Sequence, residues 1–203
     1  MKDIDAILGL APVVPVLVID RLEDARPIAE ALVAGGLPAL EVTLRTPVAL
    51  EALREMRKVP GAVVGVGTVI NEAQFRAATQ EGAAFVVSPG LTDRLGEVAA
   101  GSGVPFLPGI ANAGDIMRAR AFGFSRLKFF PAVAAGGLPA LRALATVFDD
   151  VRFCPTGGIR QDSAAEWLAE SAVACVGGTW LAPRGEPLDP QALEARARAA
   201  AAL

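Results

Sequence analysis

A lysine set inside an apolar, strand-like segment is the first residue in this chain that invites chemistry. Lys128 stands in Arg-Leu-Lys-Phe-Phe-Pro (126–131), and the chain otherwise meets its demand for positive charge with 16 arginines against three lysines. The other two lysines, Lys2 and Lys58, fall in segments that read as exposed. A primary amine kept where a guanidinium would not serve points to amine chemistry, because a desolvated amine loses its proton more easily and the free base attacks a ketone or aldehyde to form an imine. Glu41 is the matching acid/base. In Ala-Leu-Glu-Val-Thr-Leu-Arg (39–45) the polar Glu41, Thr43 and Arg45 alternate with Leu40, Val42 and Leu44, so a period of two puts the polar set on one face. With the apolar face packed on helices, Glu41 points inward, either to move protons or to hold Lys128 in a purely structural ion pair.

A second group of residues suits an anionic ligand. Arg45, at the tip of its segment, is a candidate carboxylate clamp with Thr68 as a neutral helper, or else a solvated loop arginine. Glu41 and Arg45 are separated by about 13 Å of strand at ~3.3 Å per residue, so both reach one small ligand only if Arg45 curls back. Gly65 and Gly67 leave room for backbone to approach a ligand. Gly157-Gly158 and Gly177-Gly178, the latter followed by Thr179, offer bare N–H groups and a hydroxyl to a phosphate.

What is missing narrows the chemistry further. With no histidine and no tyrosine there is no Ser/His/Asp triad, no imidazole base and no zinc site built on histidine. The net charge of -3 with scattered arginines gives no footprint for nucleic acid. The longest uncharged stretch, 98–114, is rich in Gly and Pro and too short to span a bilayer. Asp3 and Asp5 stand where a secretory signal wants positive charge. Cys154 and Cys175 read as ordinary buried thiols in a reducing compartment, so a cytoplasmic protein is expected.

These residues need a scaffold, and the hydrophobic pattern supplies one. At 53% hydrophobic, 20% charged and mean hydropathy +0.44 the chain is built to bury a core, and residues 1–203 are read as a single domain. Eight strands are expected at 13–19, 39–44, 62–68, 85–89, 105–110, 126–131, 151–156 and 174–179, with helical spacing between them. Strict β/α alternation means parallel strands covered by helices, and eight such units close into a (β/α)8 TIM barrel. Gly35-Gly36 ends the first long helix, whose start is expected at Pro27. Asn71 caps the third long helix, and Asp189-Pro190 opens the last. Residues 2–10 are expected to form a short helix plugging the barrel floor. In this frame the two glycine pairs follow the seventh and eighth strands, the usual phosphate site of such barrels.

The ordered motifs themselves resemble a known family. Leu-Glu-Val-Thr-Leu-Arg (40–45), Val-Gly-Val-Gly-Thr-Val (64–69), Val-Ser-Pro-Gly-Leu (87–91), Leu-Lys-Phe-Phe-Pro-Ala (127–132), Arg-Phe-Cys-Pro-Thr-Gly-Gly-Ile (152–159) and Val-Gly-Gly-Thr-Trp-Leu (176–181) are similar to the 2-keto-3-deoxy-6-phosphogluconate (KDPG) aldolase family. That family also includes 4-hydroxy-2-oxoglutarate (KHG) aldolases. The resemblance runs from about residue 12 to 183 and implies a class I, metal-independent, homotrimeric barrel lyase with no cofactor. It implies Lys128 as the Schiff-base lysine, Glu41 as the proton shuttle, and Arg45 and Thr68 on the pyruvate carboxylate. It further implies Pro89 and Phe130 lining the pocket, Thr156 as a mark of the gluconate-type enzymes, and Gly157, Gly158, Gly178 and Thr179 on the phosphate. The family's motifs are departed from at Thr179, where serine is common, and at Ala111 and Asn112, where hydroxyl residues are common. The expected substrate is a phosphorylated 2-keto-3-deoxy sugar acid. Alternatives are the unphosphorylated 4-hydroxy-2-oxoglutarate, the galactonate-derived ester, a barrel isomerase, and a phosphosugar-binding barrel without catalysis.

Overall fold

A computed structural model describes residues 3–203. Helices and strands alternate from the start: α1 Ile4–Leu8, β1 Val13–Leu17, α2 Leu22–Ala34, β2 Ala39–Thr43, α3 Ala49–Met56, β3 Val63–Gly67, α4 Glu72–Gln80, β4 Val86–Val87 and α5 Asp93–Ser102. The second half runs β5 Phe106–Leu107, β6 Gly109–Ile110, α6 Ala113–Ala121, β7 Arg126–Phe129, α7 Gly137–Val147, β8 Arg152–Phe153, α8 Ala164–Leu168, β9 Val176–Gly178 and α9 Pro190–Ala201. Every ladder is parallel. The strands follow the orders β5-β4-β3-β2-β1-β9 and β6-β7-β8, an α/β architecture with a curled parallel sheet and helices outside.

Two expectations are corrected here. The fifth expected strand is split into β5 and β6 at Pro108, which has no N–H to give to a ladder, although its carbonyl still accepts from Lys128 N at 2.8 Å. The fourth and seventh ladders are likewise shorter than their apolar runs, each stopping just before a Ser-Pro or Cys-Pro step. Helix α2 starts at Leu22 and carries Pro27 inside it. The carbonyl left without the N–H of Pro27 is that of Glu23, which stands at an exposed position.

The caps fall where their residue types require. Asn71 accepts from Gln74 N at 2.9 Å, Asp189 accepts from Gln191 N and Ala192 N with Pro190 at the first turn, and α2 ends at Gly35 with Gly36 at φ +95. Lys58 is exposed and paired with Glu55; Lys2 lies outside the described residues. No helix is long and apolar enough to cross a membrane among the described residues.

The core divides by strand parity. Leu40, Val42, Val64, Val66, Leu127 and Phe129 pack outward on the helices. Val14, Ala39, Phe85, Val87, Leu107, Cys154 and Cys175 face inward and meet Ile7 and Leu8 of α1. The described part of the expected floor plug is thus in place, and Asp5 pairs with Arg126 at its side.

Candidate active site

Above that apolar floor stand the two inward charges. Lys128 Nζ donates to Glu41 Oε1 at 3.0 Å and to Oε2 at 3.2 Å, and the side chains are only 6% and 4% exposed. β2 and β7 deliver them from different sheets because each stands at an inward parity. Burying the two charges is tolerable because each neutralises the other. Phe130, two residues on from Lys128, places its ring centroid 5.6 Å from Nζ, within cation–π range. Lys128 pairs in register with Gly109, whose bare face is closed by the backbone at Pro89 and Gly90. Pro89 and Lys128 therefore flank one strand.

Gly65 and Gly67 do not serve as expected. The space they leave is filled by protein: a Cβ on Gly65 would lie 2.6 Å from the Phe85 ring, and one on Gly67 would lie 2.6 Å from Glu41 Cδ. These glycines make room for interior side chains, Glu41 among them. Gly177 and Gly178 act likewise, leaving space for Thr156 and for the Trp180 ring. Gly157 and Gly158 differ, with φ of +101 and +82, values that favour glycine.

The rim of the site holds three uncommitted polar groups. Among the described residues Arg45 alone of the 16 arginines makes neither an ion pair nor a side-chain hydrogen bond, and it is exposed. Of the eight threonines, Thr43, Thr46, Thr79, Thr146 and Thr156 donate to carbonyls, and Thr92 caps a helix. Only Thr68 and Thr179 have hydroxyls without a protein partner among the described residues. Arg45 and Thr68 follow the last ladder pair of β2 and β3, Thr43 and Gly67, so they share one end of the sheet. Thr179 follows β9, and Thr156 is bridged to Gly177, which brings the two glycine pairs together. Asn112 is accounted for as a cap: it accepts from Asp115 N at 3.0 Å and donates to Asp115 Oδ2 at 3.0 Å.

Reading the chain alone missed one pairing. Cys154 and Cys175 are free, buried and close enough to shift each other's titration rather than isolated. The neighbouring Cys175 thiol holds the Cys154 thiol below its ordinary range, with the Lys128 charge helping, while Cys154 together with burial pushes Cys175 well above it. The signal lies in the spacing: Cys154 just follows β8 and Cys175 just precedes β9, 21 residues apart, the same offset as the bridged Thr156 and Gly177.

Comparison with known proteins is decisive. The family model described as KDPG and KHG aldolase matches residues 4–194. This chain belongs to that family. It is an aldolase, and so a lyase. It is 55% identical over 203 residues to the 2-dehydro-3-deoxy-phosphogluconate aldolase of Zymomonas mobilis, covering all of this chain and 97% of that one. A crystal structure of 2-keto-3-deoxy-6-phospho-gluconate aldolase from Zymomonas mobilis superposes with a TM-score of 0.97 at 55% identity, covering 99% of this chain and 97% of the other. The KDPG aldolase of Legionella pneumophila, solved with pyruvate captured at low pH as a covalent carbinolamine, gives 0.94 at 42% identity, with 98% of each chain covered.

Proposed function

We propose that this aldolase cleaves 2-keto-3-deoxy-6-phosphogluconate to pyruvate and glyceraldehyde 3-phosphate through an imine on Lys128. The observation that carries the reading is the buried Lys128–Glu41 pair at 3.0 Å. Moving one proton across that contact leaves a free amine beside a carboxylic acid. The amine attacks the C2 ketone, and Glu41 protonates the carbinolamine oxygen so that water leaves and an iminium forms. The iminium draws electrons as Glu41, directly or through water, takes the C4 hydroxyl proton and the C3–C4 bond breaks. Glyceraldehyde 3-phosphate departs, and the remaining enamine is protonated and hydrolysed to pyruvate.

The uncommitted rim groups fit the two anionic ends of such a substrate. Arg45 and Thr68 take the carboxylate, while Thr179 with the backbone of Gly157, Gly158 and Gly178 takes the phosphate. Pro89, Phe130 and Thr156 line the space between, which fixes C4 near Glu41.

The finer architecture belongs to the same proposal. Residues 1–203 form one domain, and the two sheets close into a single eight-stranded barrel. Closure is supported at one seam by the continuity of β5 and β6 through Pro108. At the other it is supported by Phe153 N to Ala172 O and Gly177 N to Pro155 O, both 2.8 Å. The free Cys154 and Cys175 suit a cytoplasmic setting. Helix α7, of which only Leu141 is buried while Val147 is 71% exposed, suits assembly into a homotrimer.

Borohydride reduction in the presence of pyruvate, followed by peptide mass spectrometry, tests the reaction. A pyruvyl adduct on Lys128 is the expected result. Binding of phosphate esters without any adduct would replace the aldolase mechanism with a binding or isomerase role.

A further inference from the structure

Two thiols stand in the floor beneath the proposed imine site, and the aldol chemistry uses neither. Cys154 and Cys175 are free, 3% and 0% exposed, and both belong to the inward-facing apolar cluster. The backbone sets them side by side. Between the bridges Phe153 to Val173 and Thr156 to Gly177, Cys154 and Pro155 face Ala174, Cys175 and Val176, a bulge at which Pro155 has no N–H to give. Stepping back two residues on each chain from Thr156 and Gly177 keeps the inward face and arrives at Cys154 and Cys175. Neighbouring strands run about 4.7–4.9 Å apart, inside the Cα separation of roughly 4.4–6.8 Å that a disulfide accepts.

The pair is also joined to the site. Cys154 N donates to Leu127 O at 2.8 Å, one residue before Lys128. The Thr156 hydroxyl donates to Cys154 O at 3.3 Å and lies 3.9 Å from its sulfur. Cys175 and then the Lys128 charge favour the Cys154 thiolate, the form that reacts with peroxides.

We infer that Cys154 and Cys175 form a reversible, peroxide-responsive dithiol whose oxidation turns the enzyme down. The Cys154 sulfur attacks the terminal oxygen of a hydroperoxide and the O–O bond breaks. Sulfur becomes a sulfenic acid, and the departing alkoxide, or hydroxide from hydrogen peroxide, takes the thiol proton. The Cys175 sulfur then attacks that sulfur, the S–S bond forms, and the hydroxyl leaves with the Cys175 proton as water. Two electrons pass from the thiols to the peroxide. Closing the bond draws together segments 154–156 and 175–177, which lead directly into Gly157-Gly158 and Gly178-Thr179. The loss of activity, though not the disulfide, thus rests on the phosphate site of the proposed function.

Hydrogen peroxide applied to the folded protein, followed by non-reducing peptide mass spectrometry and assay, tests this. The expected result is a cross-link between the Cys154 and Cys175 peptides and a loss of about tenfold or more in kcat/KM for the 6-phosphate ester. Dithiothreitol should reverse both. Cys175→Ala should keep the activity of the untreated enzyme, form no cross-link and hold Cys154 as a sulfenic acid that dimedone captures. Should that variant fail to fold, oxidation and reduction of the unaltered protein decide alone. Absence of the cross-link in the folded protein, or a cross-link without loss of activity, would overturn the inference. Absence of pyruvate labelling of Lys128 in the reduced protein would instead overturn the aldolase mechanism and leave the disulfide standing.

Discussion

Gly67 and Glu41 share one space: the carboxylate of Glu41 occupies the volume that a side chain on Gly67 would fill, with an added Cβ only 2.6 Å from Cδ. The two residues lie on neighbouring parallel strands, where Glu41 pairs with Gly65 and Thr43 with Gly67. The glutamate therefore leans along the strand direction toward the rim, over a backbone stripped of side chains. Its carboxylate is held against Lys128 by shape as well as by charge.

Gly67→Ala should consequently damage catalysis more than folding. Overpacking costs about 1–3 kcal/mol, whereas displacing an acid/base group by an ångström can cost on the order of 100-fold in rate. The expected outcome is a folded variant with kcat reduced by one to two orders of magnitude. Urea unfolding and steady-state kinetics on the same preparation check it; unchanged kcat would mean that Glu41 has slack.

The ion pair makes a prediction about stability and activity together. Lys128→Met removes the nucleophile and strands a buried carboxylate, which should abolish turnover and destabilise the fold by roughly 3–5 kcal/mol. Adding Glu41→Gln should restore much of that stability and none of the activity. Glu41→Gln alone should retain pyruvate labelling of Lys128 at a reduced rate, with kcat down by about 100- to 10,000-fold. Denaturant titrations of the three variants decide whether the pair is coupled in this way.

How much of this was visible in the chain depends on how far each inference reached. Lys128 and Glu41 could be found because a charge in a strand buried on both faces is anomalous on its own. Alternation then gave the direction of Glu41. The helix caps were equally local, since Asn71 and Asp189 act on donors two or three residues away. What parity alone did not supply was the neighbouring strand. Gly65 and Gly67 looked like room for a ligand because nothing in β3 names Phe85 or Glu41 as the occupants. Cys154 and Cys175 looked isolated because only the bridges Phe153 to Val173 and Thr156 to Gly177 bring their two segments together. The availability of Arg45, Thr68 and Thr179 is a property of the other arginines and threonines having found partners, and so it becomes visible only once those partners are placed.

Acid should weaken the outer shell of the protein. The hydrogen bond from Arg76, with that from Arg94, holds Glu72 below the ordinary glutamate value of 4.5, and Arg142 does the same for Glu170. Carboxylates lowered in the folded state contribute stability that is complete above the unfolded value and is lost as pH falls through the folded one. The urea midpoint should therefore decline as pH drops below about 4.5. Glu72→Gln should make that decline shallower by lowering the midpoint slightly at neutral pH, because glutamine lacks the ionic contribution that acid removes, and the change is small because the pairs are partly exposed and screened. An identical acid profile in the variant would show that the Arg94 link between α4 and α5 adds nothing.

Thr179 offers the sharpest separation among possible substrates. Its hydroxyl is uncommitted in the protein and stands just beyond β9, beside the Gly177 that is bridged to Thr156. A hydrogen bond to a charged group is worth about 1.5–3 kcal/mol, so Thr179→Ala should raise KM for the 6-phosphate ester by roughly 10- to 150-fold. With 4-hydroxy-2-oxoglutarate, which carries no phosphate, the same variant should match the unaltered enzyme. Thr179→Ser should behave like the parent on both, since the methyl makes no polar contact. Comparing kcat/KM on the two substrates across the three proteins checks this. An equal loss on both would place Thr179 away from the phosphate and make its role one of packing around Trp180.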